Sequence, residues 1–130
     1  MRVLTFGTFD HFHPGHRAYL EQAAKRGDLF VIVARDTSVQ HIKGRISSQN
    51  ETERLAGVRI AFPHATVLLG DPEDYLRPVR ELKPDLILLG YDQKLPPGVS
   101  EEDLPCPVER AQPFAPETYK SSILKDAKND

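Results

Sequence analysis

Short, continuously apolar runs that alternate with helix-like stretches constrain this chain more than any other feature of its sequence. Residues 2–6 carry Val3, Leu4 and Phe6 and stop at Gly7; residues 29–34 read LFVIVA, residues 65–69 ATVLL, and residues 85–89 DLILL, stopping at Gly90. A strand that is apolar throughout, rather than at every second residue, is covered on both faces, as in a parallel sheet between helices. The intervening segments supply those helices. Residues 14–26 place Tyr19, Leu20, Ala23 and Ala24 on one face, with Pro14 suited to the first helical position and Gly27 set to end it. A second helix is expected over 51–62, closed by Pro63, and a third over 73–82. A fifth strand is expected over 108–111, and a last helix over 121–128, capped by Ser121 or Ser122. Lys43-Gly44-Arg45 is a basic loop, and 91–107, rich in Pro and acidic residues, a surface loop. The β-α-β alternation predicts an α/β, Rossmann-like fold: a doubly wound five-stranded parallel sheet with helices on both faces.

At 130 residues the chain fits one domain, 1–130, large enough to bury a core. Seventeen Lys and Arg face nineteen Asp and Glu, a formal charge of -2, so no overall field draws nucleic acid or an anionic membrane. Any anion must be held by a local site. The single cysteine, Cys106, allows no intrachain disulfide and fits a reducing compartment. Met1 leads straight into a strand with no basic or apolar leader, and no apolar run nears the roughly 20 residues of a membrane span. The expectation is a cytoplasmic protein with neither nucleic acid nor membrane as partner.

In such sheets ligands bind beyond the carboxyl ends of the strands, where the strand order reverses. Two segments of unusual chemistry stand there: GTFDHFHPGH, from Gly7 to His16, after the first strand, and residues 90–93 after the fourth. If those strands are neighbours, both segments face one crevice. Gly7 lets the chain turn off the strand, while Pro14 and Gly15 open a helix whose amides and dipole favour an anion. His13 and His16, three apart, share a face of the first turn. Two imidazole donors beside a phosphate cradle suit the charge that builds during phosphoryl transfer. Two other readings stay open: His11, His13 and His16 as a metal site, or as exposed capping residues.

GTFDxFHPGH resembles the signature of the cytidylyltransferase-like superfamily of nucleotidyltransferases, with Gly7, Thr8, Phe9, Asp10, His13, Gly15 and His16 at motif positions. IVARD (Ile32 to Asp36), Val39 and IKGR (Ile42 to Arg45) are similar to the archaeal FAD synthase branch, whose relatives include glycerol-3-phosphate cytidylyltransferases. ETER (Glu51 to Arg54) is similar to the family's E-x-x-R helix start, LGYDQ (Leu89 to Gln93) to its fourth-strand motif, and YKSS (Tyr119 to Ser122) to its ISTT. The resemblance implies that His13 and His16 stabilise the α-phosphate and the leaving pyrophosphate, and that Lys43, assisted by Arg45, reaches the β and γ phosphates. Thr8 and Phe9 would bind the nucleotide, and Gly90, Tyr91 and Asp92 would line the base and ribose pocket. Tyr119, Ser121 and Ser122 would complete the nucleotide site, the serines as caps that also hold a phosphate. It also implies a divalent metal, Mg²⁺, carried by the nucleotide's phosphates with no dedicated protein ligands, and a homodimer.

Several of these residues have a plain alternative. KGR is also a solvated basic turn, and Arg54 is a helix-face salt bridge or a phosphate contact. Asp10 and Asp36 orient a ligand or cap a strand end. The family's Arg before the ISTT is missing, Ala115 and Pro116 standing there, with Arg110 the nearest candidate; the cysteines that archaeal FAD synthases carry near their C-terminus are replaced by Cys106 alone.

The reaction expected is therefore transfer of NMP from an NTP (ATP or CTP) to a phosphorylated small molecule with release of pyrophosphate. The acceptor expected first is FMN, giving FAD; the alternative is cytidylyl transfer to glycerol 3-phosphate or a similar polyol or sugar phosphate. A nucleotide-binding regulatory module without turnover is the reading of another class, and the intact His13/His16 pair argues against it.

Overall fold

The computed structural model describes residues 1–113. Its elements follow the expected order with one helix, α2, added: β1 (Arg2–Gly7), α1 (Pro14–Ala24), β2 (Asp28–Val33), α2 (Asp36–Lys43), α3 (Glu51–Ala61), β3 (Thr66–Leu69), α4 (Arg77–Leu82), β4 (Leu86–Leu89) and β5 (Val108–Arg110). The strands form one five-stranded sheet in the order β3-β2-β1-β4-β5, every pair parallel. The order reverses between β1 and β4, so the segments after those strands do open onto one crevice.

Alternate side chains of each strand enter opposite cores. Val3, Val31, Val33, Leu86 and Leu88 pack with Leu20 and Ala23 of α1 and Val58 of α3. Leu4, Phe6, Ile32, Ile87 and Leu89 pack on the other face with Val79 of α4 and with Leu104. The doubly wound fold expected from the apolar runs is thus present, and the sheet's apolar strands are the consequence of two covered faces.

Three segments differ from expectation. Residues 36–43 form a helix that the sequence did not announce. Of its eight residues only Val39 is buried, so there is no repeating apolar face, and β-branched Thr37, Val39 and Ile42 weaken its intrinsic helical preference. Lys43 is accordingly the last residue of a helix rather than part of a loop, and Gly44, at φ 72°, is the left-handed cap that ends it. The helix expected over 73–82 shortens to α4, because Asp71 and Asp74 accept local backbone amides (Glu73 and Asp74, and Leu76) and hold 71–76 in turns. Finally, 91–107 is more than a surface loop: it contains a 3₁₀ turn at Glu101–Asp103 and buries Leu104 against the sheet. The expected last helix lies outside the described residues.

Candidate active site

The turn after β1 is built by close approach. A Cβ on Gly7 would stand 2.7 Å from Cε2 and Cζ of Phe9, so only glycine lets the buried Phe9 ring fold back beneath the strand end. The left-handed residues of the turn are Phe9 (φ 58°) and His11 (φ 47°), not Gly7. Such conformations cost about 1–3 kcal/mol each and persist only where surrounding structure enforces them. Here burial of the Phe9 ring and the carboxylate of Asp10 do so. Asp10 accepts the amides of Ser48 (Oδ2, 2.9 Å) and Gln49 (Oδ1, 2.9 Å), and the His11 amide donates to Gln49 Oε1 at 2.8 Å. The turn after β1 and the loop before α3 are therefore one body.

His13 is the N-cap of α1 and His16 its third residue, and together they make a capping box from two imidazoles. His13 Nδ1 accepts the amides of Gly15 (3.1 Å) and His16 (3.4 Å), while His16 Nδ1 accepts the His13 amide (3.2 Å). The rings stack with centroids 3.6 Å apart and planes 19° apart. A neutral imidazole that accepts at Nδ1 carries its proton on Nε2, so the hydrogen bonds select the same tautomer in both rings. This revises one expectation: the amides of Gly15 and His16 are occupied by His13, so the donors at this helix start are imidazole N–H groups rather than bare backbone. Gly15 serves the same end. A Cβ there would stand 3.0 Å from His13 Cε1 and 3.2 Å from its Nδ1, crowding the capping ring.

Arg54 acts as a clamp between three segments. Its side chain is fully buried and donates from Nε to Gln49 O (3.1 Å), from Nη1 to Thr8 O (2.8 Å) and from Nη2 to Asp36 Oδ1 (2.7 Å). All three acceptors belong to the protein. Asp36 also accepts the Glu51 amide through Oδ2, and Glu51 returns the bond by accepting the Asp36 amide and Arg35 Nη1. The E-x-x-R pair thus locks the starts of α2 and α3 to the β1 turn. Lys43 and Arg45 line a cavity of about 110 Å³ together with Asp10, Ser47 and Ser48. That volume suits a phosphate group and is well below what a whole nucleotide occupies.

On the opposite wall Gly90 ends β4. Its amide donates to Gln93 Oε1 (2.9 Å), and Gln93 Nε2 donates across the crevice to Phe6 O (3.1 Å). Arg110 Nη1 donates to Gly90 O (3.1 Å) and Gln93 O (2.6 Å), fixing the same loop from β5. Tyr91 and Asp92 are exposed at its tip. Gln93 had no role of its own assigned from sequence, and Arg110, named there only as the nearest candidate for the family's missing Arg, is the last residue of β5 and holds this loop.

A family model described as cytidylyltransferase-like matches residues 4–126, nearly the whole chain. The chain belongs to the cytidylyltransferase-like family. Among its relatives are the FAD synthase of Methanospirillum hungatei JF-1, 43% identical over 99% of this chain and 82% of that protein, and the FAD synthase of Halalkalicoccus jeotgali, 38% identical over 95% and 89%. Among solved structures, the lipopolysaccharide core biosynthesis protein of Thermoplasma volcanium GSS1 superposes with a TM-score of 0.76 at 33% identity, covering 88% of this chain and 98% of that one.

As a cytidylyltransferase-like nucleotidyltransferase the chain takes a nucleotide substrate. The Asp10 carboxylate is engaged by backbone amides, and that of Asp36 by the Glu51 amide and Arg54. Among the described residues no group of three or more His, Cys, Asp or Glu is disposed to hold an ion. Nor is any described helix long and apolar enough to cross a membrane. Tyr119, Ser121 and Ser122, named from the YKSS motif, lie outside the described residues.

Proposed function

We propose that this protein is an FMN adenylyltransferase, converting ATP·Mg²⁺ and FMN to FAD and pyrophosphate. The observation that carries the reading is the imidazole capping box, which selects the Nε2–H tautomer in both His13 and His16 at the start of α1. A phosphate oxygen of FMN attacks the α-phosphorus of ATP in line; the bond from that phosphorus to the bridging oxygen breaks, and pyrophosphate leaves with Mg²⁺. The two Nε2–H groups donate to the α-phosphate and to the leaving pyrophosphate, where negative charge grows. Lys43, with Arg45, holds the β and γ phosphates as a flexible ammonium does. Thr8, Phe9 and Asp10 shape the nucleotide wall from β1, and Gly90, Tyr91 and Asp92 the base and ribose wall from β4. Tyr119, Ser121 and Ser122 are proposed as further nucleotide-binding residues. FMN as acceptor is supported by the relatives named FAD synthase, similar over nearly the whole chain.

The second reading, cytidylyl transfer to a polyol or sugar phosphate, is favoured by one finding: a solved relative of the same fold bears a lipopolysaccharide core biosynthesis name. Pyrophosphate release measured with ATP or CTP against FMN or glycerol 3-phosphate separates the two. FAD formed from ATP and FMN supports the first reading, and turnover only with CTP and the polyol phosphate replaces it with the second. We further propose one domain, supported by a single family model over 4–126, working in the cytoplasm without nucleic acid. A homodimer is proposed as well, to which exposed Ile60 and Leu68 offer apolar surface. Light scattering in solution gives the mass that decides it.

A further inference from the structure

The pairing of β1 is lopsided. On the β2 side it runs the whole strand, from Arg2↔Asp28 to Gly7↔Val33. On the β4 side it stops after Val3↔Leu86 and Leu4↔Ile87, although both strands continue and β4 stays paired to β5 as far as Leu89↔Arg110. The strands therefore part before their carboxyl ends, and backbone groups left in the gap need other partners. Two side chains supply them. The Tyr19 hydroxyl donates to Leu88 O (2.5 Å), meets Phe6 O at 3.4 Å and accepts the Phe6 amide (3.3 Å). The Gln93 amide donates to Phe6 O and accepts the Gly90 amide.

Neither side chain is there by chance of packing. Tyr19 lies three residues beyond His16 on α1, and its ring stacks on Phe9 with planes 14° apart. Burial pushes its hydroxyl well above the ordinary tyrosine range, so it stays a neutral donor. Gln93 is pinned from the far side by Arg110 on its carbonyl. The two meet on one atom, Phe6 O, immediately before the Gly7-Thr8-Phe9 wall, and they hold Leu88 and Gly90, immediately before the Tyr91-Asp92 wall.

We propose that Tyr19 and Gln93 are positioning residues that set the width of the nucleotide crevice, holding β1 and β4 apart where a continued ladder would close them. The inference deepens the functional reading above in that it takes the crevice to bind nucleotide; it does not depend on FMN being the acceptor. Without the Tyr19 hydroxyl, Phe6 and Leu88 regain their bonds by pairing with each other, and the two walls approach. The phosphate-handling histidines sit on the capping box of α1 and keep their geometry.

The experiment compares wild type with Tyr19→Phe, Gln93→Leu and the double variant. Equilibrium binding of ATP·Mg²⁺ and CTP·Mg²⁺, steady-state kcat and KM, melting temperature and a crystal structure of Tyr19→Phe are measured. We expect each single variant to bind nucleotide about five- to tenfold more weakly, roughly 1 kcal/mol, because the narrowed crevice admits it less well. The maximal rate stays within about twofold of wild type, as when only ground-state and transition-state binding fall together. Because both side chains act on Phe6 O, the double variant should lose less than the product of the single losses. In the Tyr19→Phe crystal, β1 and β4 should pair beyond Leu4 and Ile87. Unchanged nucleotide affinity in both single variants, or an unchanged strand separation, overturns the inference. So does a fall in kcat that matches the loss of folded protein, which marks a merely structural role. Failure of wild type to make FAD while these nucleotide effects hold would overturn the acceptor assignment and leave this inference standing.

Discussion

Replacing Arg54 by Met removes the guanidinium that joins three segments, and the structure allows the cost to be worked out. Two of its bonds go to backbone carbonyls, the buried Thr8 O and the half-buried Gln49 O, and one to the Asp36 carboxylate. A hydrogen bond involving a charged group contributes about 1.5 kcal/mol at the low end, so the two carbonyls together lose about 3 kcal/mol. The Asp36 side chain is 37% exposed, so its pairing is partly hydrated and contributes about 1 kcal/mol. Methionine refills part of the volume and recovers about 1 kcal/mol of apolar burial. The expected net loss is about 3 kcal/mol, a large share of the 5–15 kcal/mol typical of a domain, and a fall in Tm of about 10–15 °C. Arg54→Lys keeps the charge but not the fork, so about half the loss is expected. Urea unfolding with an unchanged m-value measures it. A loss below about 1 kcal/mol, together with a tenfold or greater rise in KM for the triphosphate, would refute the clamp and restore Arg54 as a phosphate ligand.

His16→Ala should lower kcat by about 10²–10³ while nucleotide Kd moves no more than about threefold, because its contact strengthens in the transition state; a large KM rise at constant kcat speaks against that role. Lys43→Ala should weaken triphosphate binding by about tenfold and slow the reaction as well, with nucleoside monophosphate binding barely altered; isothermal titration with both ligands decides. Asp71 is held below the usual carboxylate range by the amides of Glu73 and Asp74, helped by Arg77. A depressed folded pKa contributes stability above the unfolded value and loses it as pH falls through the folded one, so this contribution fades from about pH 4 downward. Asp71→Asn should flatten that limb of the stability curve relative to wild type, and parallel acid-unfolding curves for the two proteins would remove Asp71 from it.

The local pattern carried much of this protein. Apolar runs at 2–6, 29–34, 65–69 and 85–89 stated the parallel sheet because a strand covered on both faces has no room for alternation. Pro14 and the His13/His16 spacing stated a helix start with two imidazoles. The missed helix Asp36–Lys43 had no such pattern, since it buries a single side chain and is held at its start by Asp36 and Glu51 across 15 residues. Distance along the chain hid the rest. That Arg54 reaches Thr8, that Asp10 binds the loop before α3, and that Tyr19 and Gln93 meet on Phe6 O follow from partners 13 to 87 residues apart. Sequence specified which elements form and which chemistry stands at their ends. Only the tertiary fold decided which polar groups are left for a ligand, because a buried donor takes whichever acceptor the packing brings within reach.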